Sequence, residues 1–393
     1  MADKLYLIKM GEIALKGGNR DMFEKRLRHN LKDKLKPWKS EISKQKGRLY
    51  AYIDEECPDD LVEKAFSSTS GLTGFARAYS TEKSLQAMHD LARSILPASF
   101  TDEGTFRITV TREDKKFPLD SRAIAVELAK TVHKLFPSLE VDLKRPDHVL
   151  YVEVRSKVYM YTTEAKGPGG LPVGTAGRGM LLLSGGIDSP VAGVQMARRG
   201  MKLDAIYFHA YPYTSELALE KVKTLASLIA PSTQGLRLFV VPFTDGQLHI
   251  KKHAAVEETT LMFRAAMMQT AEKLAKANAA KAVITGEALS QVASQTLEAM
   301  SFTDSMTELL VLRPLVGMEK EEIVNRAKAL GTYQTSILPY EDCCVIFSPK
   351  HPVTHPDKEE SVRHFQALEM DSIIDKAIAE TAVYTYDAMG REQ

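Results

Sequence analysis

The chain has 393 residues, more than one hydrophobic core usually serves, so two or three domains are expected. Its composition, 44% hydrophobic and 26% charged with a net charge of +1, is that of an ordinary globular protein, and no apolar run is long enough to cross a bilayer. The three cysteines exclude a disulfide framework, and no C-x-x-C pair indicates a zinc or iron–sulfur site.

The first 50 residues are strongly basic. They contain 14 Lys or Arg and 6 Asp or Glu, a local balance of +8 that favours a polyanionic partner. Alternation and helical spacing predict a strand over 4–9, a basic amphipathic helix over 21–35 and a strand over 48–54. We therefore predict a small domain over residues 1–59. Because no secretory signal precedes it, a cytoplasmic location is expected.

Residues 60–165 are predicted to form a second α/β domain. Its clearest helices are 84–96 and 121–135, and its clearest strands are 105–111, 149–154 and 158–162. Glycine and proline then interrupt regular structure between Gly167 and Gly174, which predicts a linker over 166–176.

The remaining chain, 177–393, alternates short apolar strands with helices. The predicted strands are 180–183, 203–208, 237–241, 281–285 and 309–313. Such alternation predicts a parallel sheet with helices on both faces, in which ligands bind beyond the carboxyl ends of the strands.

The most informative segment follows the first of these strands. It is the hexapeptide Ser-Gly-Gly-Ile-Asp-Ser, from Ser184 to Ser189, and a helical pattern comes after it. A helix N-terminus offers unpaired backbone N–H groups and a favourable dipole to phosphate, Gly185 and Gly186 permit close approach, and the two serines add hydroxyl donors. The Lys-Ser/Thr ending of a Walker loop is absent. The segment resembles the PP-loop of ATP pyrophosphatases, and the alternative is an ordinary glycine-rich turn.

Polar residues at other strand ends are candidates for nucleotide contacts. His209 follows the second strand, Gly286 follows the fourth, and Gln295 offers an amide to a base edge. Arg264, within a long helix predicted over 256–277, could reach phosphates or close a salt bridge. A structural histidine is an equal alternative for His209.

Two charged residues are candidates for catalysis. Asp188 could hold Mg²⁺ or orient phosphates, since a carboxylate beside a nucleotide is otherwise repelled. Lys320 could stabilise charge on the leaving pyrophosphate. The alternative interpretation of Lys320, taken by itself, is a solvated lysine at the start of a helix.

The cysteines divide into two groups. Cys343 and Cys344 lie between Pro339 and Pro349, where an accessible thiolate suits sulfur transfer, although a buried cysteine is often only a small apolar residue. Cys57 lies in an acidic stretch that would raise its pKa and lower its reactivity.

The whole chain resembles the tRNA 4-thiouridine synthases of the ThiI family. The resemblance rests on motifs in five regions: 9–20, 106–118, 183–189, 286–296 and 340–344. It implies a mixed α/β and α+β fold: a ferredoxin-like N-terminal domain, a THUMP RNA-binding domain, and a PP-loop ATP pyrophosphatase domain of the adenine nucleotide alpha hydrolase type.

The family reaction and its residues are carried over as implications. ATP adenylates O4 of the uridine at position 8 of tRNA, and persulfide sulfur then replaces AMP to give 4-thiouridine. Asp188 and Lys320 match residues needed for activation, and the family's cysteine aligns best with Cys343, with Cys344 beside it. The implied nucleotide contacts are Leu182, Leu183, Phe208, His209, Arg264, Gly286 and Gln295. The basic candidates for RNA phosphates are Arg20, Arg26, Arg107, Arg112 and Lys116.

The resemblance also implies partners. They are tRNA, a cysteine desulfurase as sulfur donor and, if the family's role in thiamine thiazole synthesis is served, a thiamine sulfur-carrier protein. The rhodanese domain of some members is not expected within this chain. A homodimer, in which one subunit holds tRNA for the other, is also expected.

Three alternatives to this function remain open. A PP-loop ligase acting on a small molecule would leave the basic N-terminal half unexplained. An RNA-binding protein with a decayed ATP site would have lost nucleotide binding. A PP-loop enzyme that thiolates another tRNA uridine would lack the THUMP-like middle section.

Overall fold

The computed structural model describes residues 3–45, 47–340 and 349–393. Within these residues the chain forms two compact units. The first contains the residues up to Ala14, Leu35–Ser67 and Leu72–Pro168. The second contains Leu15–Lys34, Ser68–Gly71 and the chain from Gly169 onward.

The first unit is built on one nine-stranded sheet in the order β2-β3-β1-β4-β8-β7-β5-β6, with β9 paired to β4. Its strands are β1 Lys4–Met10, β2 Ser40–Gln45, β3 Arg48–Ile53, β4 Leu72–Thr81, β5 Thr105–Arg112, β6 Glu140–Val141, β7 His148–Val154, β8 Val158–Tyr161 and β9 Ala165–Lys166. The first helix of the chain, α1 Arg20–Lys34, belongs to the second unit. The helices of the first unit are α2 Asp59–Ser67, α3 Leu85–Ile95 and α4 Ser121–Leu135.

Strand β4 joins the two halves of this sheet. Its first part, from Leu72 to Ala78, pairs antiparallel with β1, and its last residues, Tyr79 to Thr81, pair antiparallel with β8. Helices α3 and α4 share one hydrophobic core with β5, β7 and β8, which includes Met88, Leu128 and Val152. The predicted helices and strands of residues 84–162 are all present, whereas β2 and β4 were not predicted.

The second unit contains a six-stranded sheet in the order β14-β13-β10-β11-β12-β15. Its strands are β10 Arg178–Leu182, β11 Lys202–His209, β12 Leu236–Pro242, β13 Ala282–Ile284, β14 Leu310–Leu312 and β15 Ala382–Tyr386. The first five run parallel, which confirms the predicted parallel sheet, and β15 adds an antiparallel edge that was not predicted.

Helices cover both faces of this sheet. They are α5 Asp188–Arg198, α6 Glu216–Thr233, α7 Thr244–His253, α8 Thr259–Ala277, α9 Leu297–Asp304, α10 Lys320–Leu330, α11 Tyr333–Ser336, α12 Lys358–Ala367 and α13 Asp371–Ala379. Alternate residues of each strand enter opposite cores: Ile206 and Phe208 pack with α8, whereas Ala205 and Tyr207 pack with α5 and α6. No helix of the described residues is long and apolar enough to cross a membrane.

The strand order reverses beside β10. Its successor β11 lies on one side and β13 on the other, so the connections that leave the carboxyl ends of β10 and β13 diverge there. A crevice at such a switch point is the usual ligand site of an open α/β sheet.

Helix α1 belongs to the second unit. Asn30 Nδ2 donates to the Val173 carbonyl at 3.0 Å, and Gln234 Nε2 donates to the Asn30 carbonyl and to Asp33 Oδ2 at 3.0 and 3.2 Å. The hydrophobic pattern predicted this helix correctly but could not indicate these long-range contacts.

Candidate functional site

A cavity of about 240 Å³ opens at the switch point. It is lined by Leu182, Leu183, Ser184, Gly186, Asp188, Ser189, Tyr207, Phe208, Arg264, Met267, Met268, Thr285, Gly286, Glu287 and Gln295. Most of the predicted nucleotide contacts are therefore brought together. Three predicted residues do not line the cavity. Gly185 and His209 are next to lining residues in sequence, and Lys320 contacts the lining residue Asp188.

The hexapeptide forms a hydrogen-bonded turn between β10 and α5. Ser189 Oγ accepts the Ser184 N–H at 2.9 Å and lies 3.0 Å from Ser184 Oγ, which in turn accepts the Gly186 N–H at 3.2 Å. The two serines thus fix the loop itself, while the first-turn N–H groups of α5 lack intrahelical acceptors. This arrangement suits an anion at the helix N-terminus.

Gly286 allows the loop after β13 to touch the start of α5. A Cβ at Gly286 would lie 2.7 Å from Ser189 N and 2.8 Å from Ser189 Cα, which are backbone atoms that cannot rotate away. Close packing of two backbone segments therefore requires glycine here, beside the cavity that Gly286 also lines.

We expect Gly286→Ala to distort this junction, at a cost of about 1–3 kcal/mol typical of overpacking. Thermal unfolding should shift down by about 2–4 °C per kcal/mol, and ATP affinity measured by calorimetry should fall. Gly317→Ala is the matched control, because a Cβ there meets nothing within 4 Å. Equal behaviour of the two variants would show that the contact with Ser189 does not matter.

Asp188 is held by two donors from different elements. Lys320 Nζ, at the start of α10, lies 2.5 Å from Asp188 Oδ1, and Gln291 Nε2 donates to Asp188 Oδ2 at 2.9 Å. The Lys320 side chain is 46% exposed, and its contact with Asp188 links it to the residues that line the cavity. The two predicted catalytic residues are thus in direct contact.

Arg264 also lines the cavity and pairs with the buried carboxylate of Glu287. Glu287 also accepts the Thr285 hydroxyl at 2.8 Å and Arg313 Nε at 2.7 Å. Arg313 is anchored in turn by two hydrogen bonds to Asp304. Of the two roles predicted for Arg264, the salt bridge is present.

The rest of the wall is mainly apolar. Phe208, Met267 and Met268 form part of it, and Gln295, only 9% exposed, brings an amide to it. Apolar and aromatic walls with a few convergent polar groups are typical of small-molecule sites.

His209 is the last residue of β11, directly after Phe208 in the sequence, and is 8% exposed. Among the described residues its Nε2 is buried without a hydrogen-bond partner. Burial lowers the pKa of His209, and this outweighs the opposing effects of Glu216 and the Ser215 backbone. The ring is therefore neutral at pH 7.

The lowered pKa of His209 makes stability depend on pH. Between that value and the ordinary 6.5, the unfolded chain binds more protons than the folded one, so stability falls as the pH drops through the interval. We expect His209→Gln to reduce the slope of the free energy of unfolding against pH by up to about 1.4 kcal/mol per pH unit in this interval. Denaturant unfolding between pH 5 and 7.5 measures it, and exposed His29→Gln is the control. Parallel slopes for wild type and His209→Gln would contradict the assignment.

One of the three cysteines, Cys57, lies within the described residues. Cys57 is fully buried, and burial, more than its acidic neighbours, raises the pKa of its thiol. This supports the predicted low reactivity, although the acidic stretch is not the largest cause. Cys343 and Cys344 lie outside the described residues.

The chain on both sides of residues 341–348 is attached to elements around the cavity. Lys221 Nζ donates to the Leu338 carbonyl at 2.9 Å and to the Tyr340 carbonyl at 3.3 Å. Ser336 Oγ donates to the Gly186 carbonyl of the hexapeptide at 3.1 Å. On the other side, Thr296 Oγ1, next to Gln295, donates to the Thr354 carbonyl at 2.6 Å.

Two of the basic residues predicted to meet RNA lie on opposite faces of one strand. Arg107 and Arg112 belong to the regular strand β5, and their odd and even positions place them on opposite faces. Arg112 lies on the face of Phe106 and donates Nη1 to the carbonyls of Phe117 and Leu119, both at 2.9 Å. Lys116, beside that loop, is exposed.

The other two basic candidates are on α1, in the second unit. Arg20 pairs with Glu24 at 2.7 Å. Arg26 is exposed, and its guanidinium lies close to Gly174. The five candidates are therefore divided between the two units, and the charge pattern of the sequence could not distinguish structural from exposed arginines.

Sequence reasoning missed several lining residues. Glu287 lines the cavity and was not predicted, and Arg313, which pairs with Glu287 without lining the cavity, was missed as well. The signal for Glu287 was its place directly after Gly286 at a strand end, and Met267 and Met268 could have been found three and four residues after Arg264 on one helix face.

Comparison with known proteins agrees with this geometry. The family model described as thiamine biosynthesis protein (ThiI) matches residues 174–370, the ThiI ferredoxin-like domain matches 5–76, and the THUMP domain matches 82–163. A probable tRNA sulfurtransferase from Acetivibrio thermocellus is 41% identical over 386 residues, which are 97% of this chain and 98% of that protein. This chain belongs to the ThiI family.

Other proteins are similar over comparable lengths. A probable tRNA sulfurtransferase from Treponema pallidum is 42% identical over 95% of this chain and 93% of its own length. The crystal structure of a 4-thiouridine synthetase in complex with RNA and ATP has a TM-score of 0.88 at 35% identity and covers 98% of this chain and 99% of its own. A protein from Pyrococcus horikoshii has a TM-score of 0.64 at 26% identity, over 84% and 99% of the two chains.

These matches confirm the fold class, a ferredoxin-like domain, a THUMP domain and a ThiI PP-loop domain. The exact boundaries at residues 59, 165 and 176 stay predictions.

Proposed function

We propose that this ThiI protein is an ATP-dependent tRNA sulfurtransferase that converts the uridine at position 8 of tRNA to 4-thiouridine. The observation that carries the proposal is the cavity at the switch point, where the Ser184–Ser189 turn with Asp188, the partner of Lys320, meets an apolar wall. Relatives named tRNA sulfurtransferase over nearly the whole chain support the same reaction class.

In the first step, O4 of the uridine attacks the α-phosphorus of ATP, the bond from that phosphorus to the β-phosphate oxygen breaks, pyrophosphate leaves, and the N3 proton of the uridine is released to solvent. The N-terminus of α5 holds the phosphates through backbone N–H groups, and Lys320 offsets the negative charge of the leaving pyrophosphate. The apolar wall around Phe208 and Met268 excludes water from the adenylated base.

Asp188 fits a role in holding Mg²⁺. Magnesium commonly binds through one or two carboxylates together with substrate phosphates, and Asp188 presents a carboxylate at the helix N-terminus where phosphates are expected. Among the described residues no group of three or more His, Cys, Asp or Glu forms a fuller metal site. When bound, the ion would neutralise phosphate charge.

In the second step, the outer sulfur of a deprotonated persulfide forms a bond to C4 and AMP leaves with the electrons of the C4–O bond. A thiol, such as the free cysteine of the assay, then attacks the inner sulfur, so that the 4-thiouridine sulfur leaves with the electrons of the S–S bond and takes up the proton of the thiol. The proposed carrier is a persulfide on Cys343, or on Cys344 beside it, charged by a cysteine desulfurase. The contacts of Lys221 and Ser336 keep the chain just before these cysteines near the hexapeptide, which supports their use.

Three further features are part of the proposal. The basic residues of α1 and the exposed residues of the THUMP domain contact tRNA phosphates. The enzyme works as a homodimer in the cytoplasm. The same adenylation site serves sulfur delivery for the thiamine thiazole as a second function, which the description of the matching family favours.

The test uses two tRNA transcripts that differ at one base. With ATP, Mg²⁺, cysteine and a cysteine desulfurase, mass spectrometry of nucleosides should find 4-thiouridine in the transcript with uridine at position 8. The transcript with cytidine at that position is the control and should stay unmodified. Thiolation of both would refute the proposed target, and thiolation of neither would refute the reaction.

A further inference from the structure

Glu287 is an unusual residue for a site that is expected to bind a polyanion. Its side chain is 5% exposed, and the residue lines the cavity. An unpaired buried charge is strongly unfavourable, but Glu287 is paired on both oxygens: Oε1 with Arg264, and Oε2 with Thr285 and Arg313. The carboxylate is therefore stable and fixed in orientation.

The network brings together three separate elements. Arg264 comes from α8, Glu287 from the turn after β13, and Arg313 from the turn after β14. Arg313 is itself anchored by Asp304 on α9 through two hydrogen bonds of 2.6 and 3.1 Å. The geometry of Arg264 at the cavity wall is thus set by a chain of contacts that Glu287 connects.

The charges of this network cancel. Two arginines, Arg264 and Arg313, face two carboxylates, Glu287 and Asp304, so the wall offers donor groups in a defined orientation without net positive charge. The N-terminus of α5 also lines the cavity, and Lys320, whose side chain is 46% exposed, pairs there with Asp188. The phosphates are therefore better accommodated at the α5 N-terminus.

We propose that Glu287 is a positioning residue for the nucleoside half of the nucleotide. It holds Arg264 so that its N–H groups meet the adenine or ribose, while the phosphates lie at the hexapeptide and Lys320. This inference rests on the proposed ATP site. It assigns Arg264 to nucleoside recognition, although arginine in such a site would ordinarily be taken for a phosphate ligand.

The experiment compares AMP and ATP binding by titration calorimetry in the full chain, without tRNA. Glu287→Gln keeps the shape of the side chain and removes its charge. It should lower the affinities for AMP and for ATP by the same factor, roughly 10- to 100-fold for a lost charged hydrogen bond. Lys320→Met should instead lower the affinity for ATP more than the affinity for AMP. Glu308→Gln, an exposed carboxylate that pairs with Lys276, is the matched control.

A double-mutant cycle tests whether Glu287 acts through Arg264. Once Arg264→Met is present, Glu287→Gln should change AMP affinity little further. If Glu287→Gln does not fold, Thr285→Val, which removes one hydrogen bond to Glu287, should weaken both nucleotides by an equal, smaller factor. An unchanged affinity, a much larger loss for ATP than for AMP, or additive effects in the cycle would overturn the inference alone. A wild-type protein that binds neither nucleotide would overturn the proposed function as well.

Discussion

Asp188→Asn is expected to lower tRNA-dependent pyrophosphate release by about 10²- to 10³-fold, the loss typical of one preorganised electrostatic group. The substitution keeps the size of the side chain and removes the charge that pairs with Lys320 Nζ at 2.5 Å and that would hold Mg²⁺. Release of pyrophosphate from labelled ATP in the presence of unmodified tRNA measures the effect.

The control for this variant is Asp371→Asn, which removes an exposed carboxylate paired with Lys273 outside the cavity. Binding of tRNA, followed by gel shift, should be unchanged in both variants, because Asp188 acts on the nucleotide. An Asp188→Asn protein that releases pyrophosphate at the wild-type rate would remove Asp188 from the mechanism.

Cys343→Ala is expected to separate the two steps of the reaction. Pyrophosphate release should remain within about twofold of wild type, because no phosphate contact is lost. Formation of 4-thiouridine from desulfurase and cysteine should fall by at least about 10²-fold, since the thiolate that carries sulfur is removed. Cys343 is three residues after Tyr340, a chain length of at most about 11 Å, and the Tyr340 carbonyl is held by Lys221.

Two matched variants complete this test. Cys344→Ala decides which neighbour carries sulfur, and Cys57→Ala, at a fully buried position with a raised thiol pKa, should thiolate normally if it folds. Full thiolation by Cys343→Ala with a persulfide donor and no added reductant would show that Cys343 does not carry the sulfur.

Much of the fold could be predicted because its pattern is local. The strands of the parallel sheet are short apolar runs bounded by turns, and helix α4 was predicted with its exact limits, Ser121–Leu135. Strand β4 was missed because it reads Leu-Thr-Gly-Phe-Ala-Arg-Ala-Tyr-Ser-Thr, with small residues where a strand signal needs large ones. Strand β15 was missed because it is a mostly exposed edge.

The site was predicted only as far as single residues carry a signal. The hexapeptide marks the loop by itself, but the contacts Gln291–Asp188 and Ser336–Gly186 join residues 103 and 150 positions apart. The pairing of Arg264 with Glu287 depends in the same way on the strand order. The opposite faces of Arg107 and Arg112 follow from simple alternation along β5 and could have been derived from the sequence.

The central claim is that this ATP site acts on tRNA. Its most direct test is pyrophosphate release from ATP and Mg²⁺, measured with and without unmodified tRNA and followed by nucleoside analysis after a sulfur donor is added. We predict that release depends on tRNA and that 4-thiouridine forms. Release at the same rate without tRNA, or release with no thiolated base, would contradict the account and favour a small-molecule substrate for the cavity.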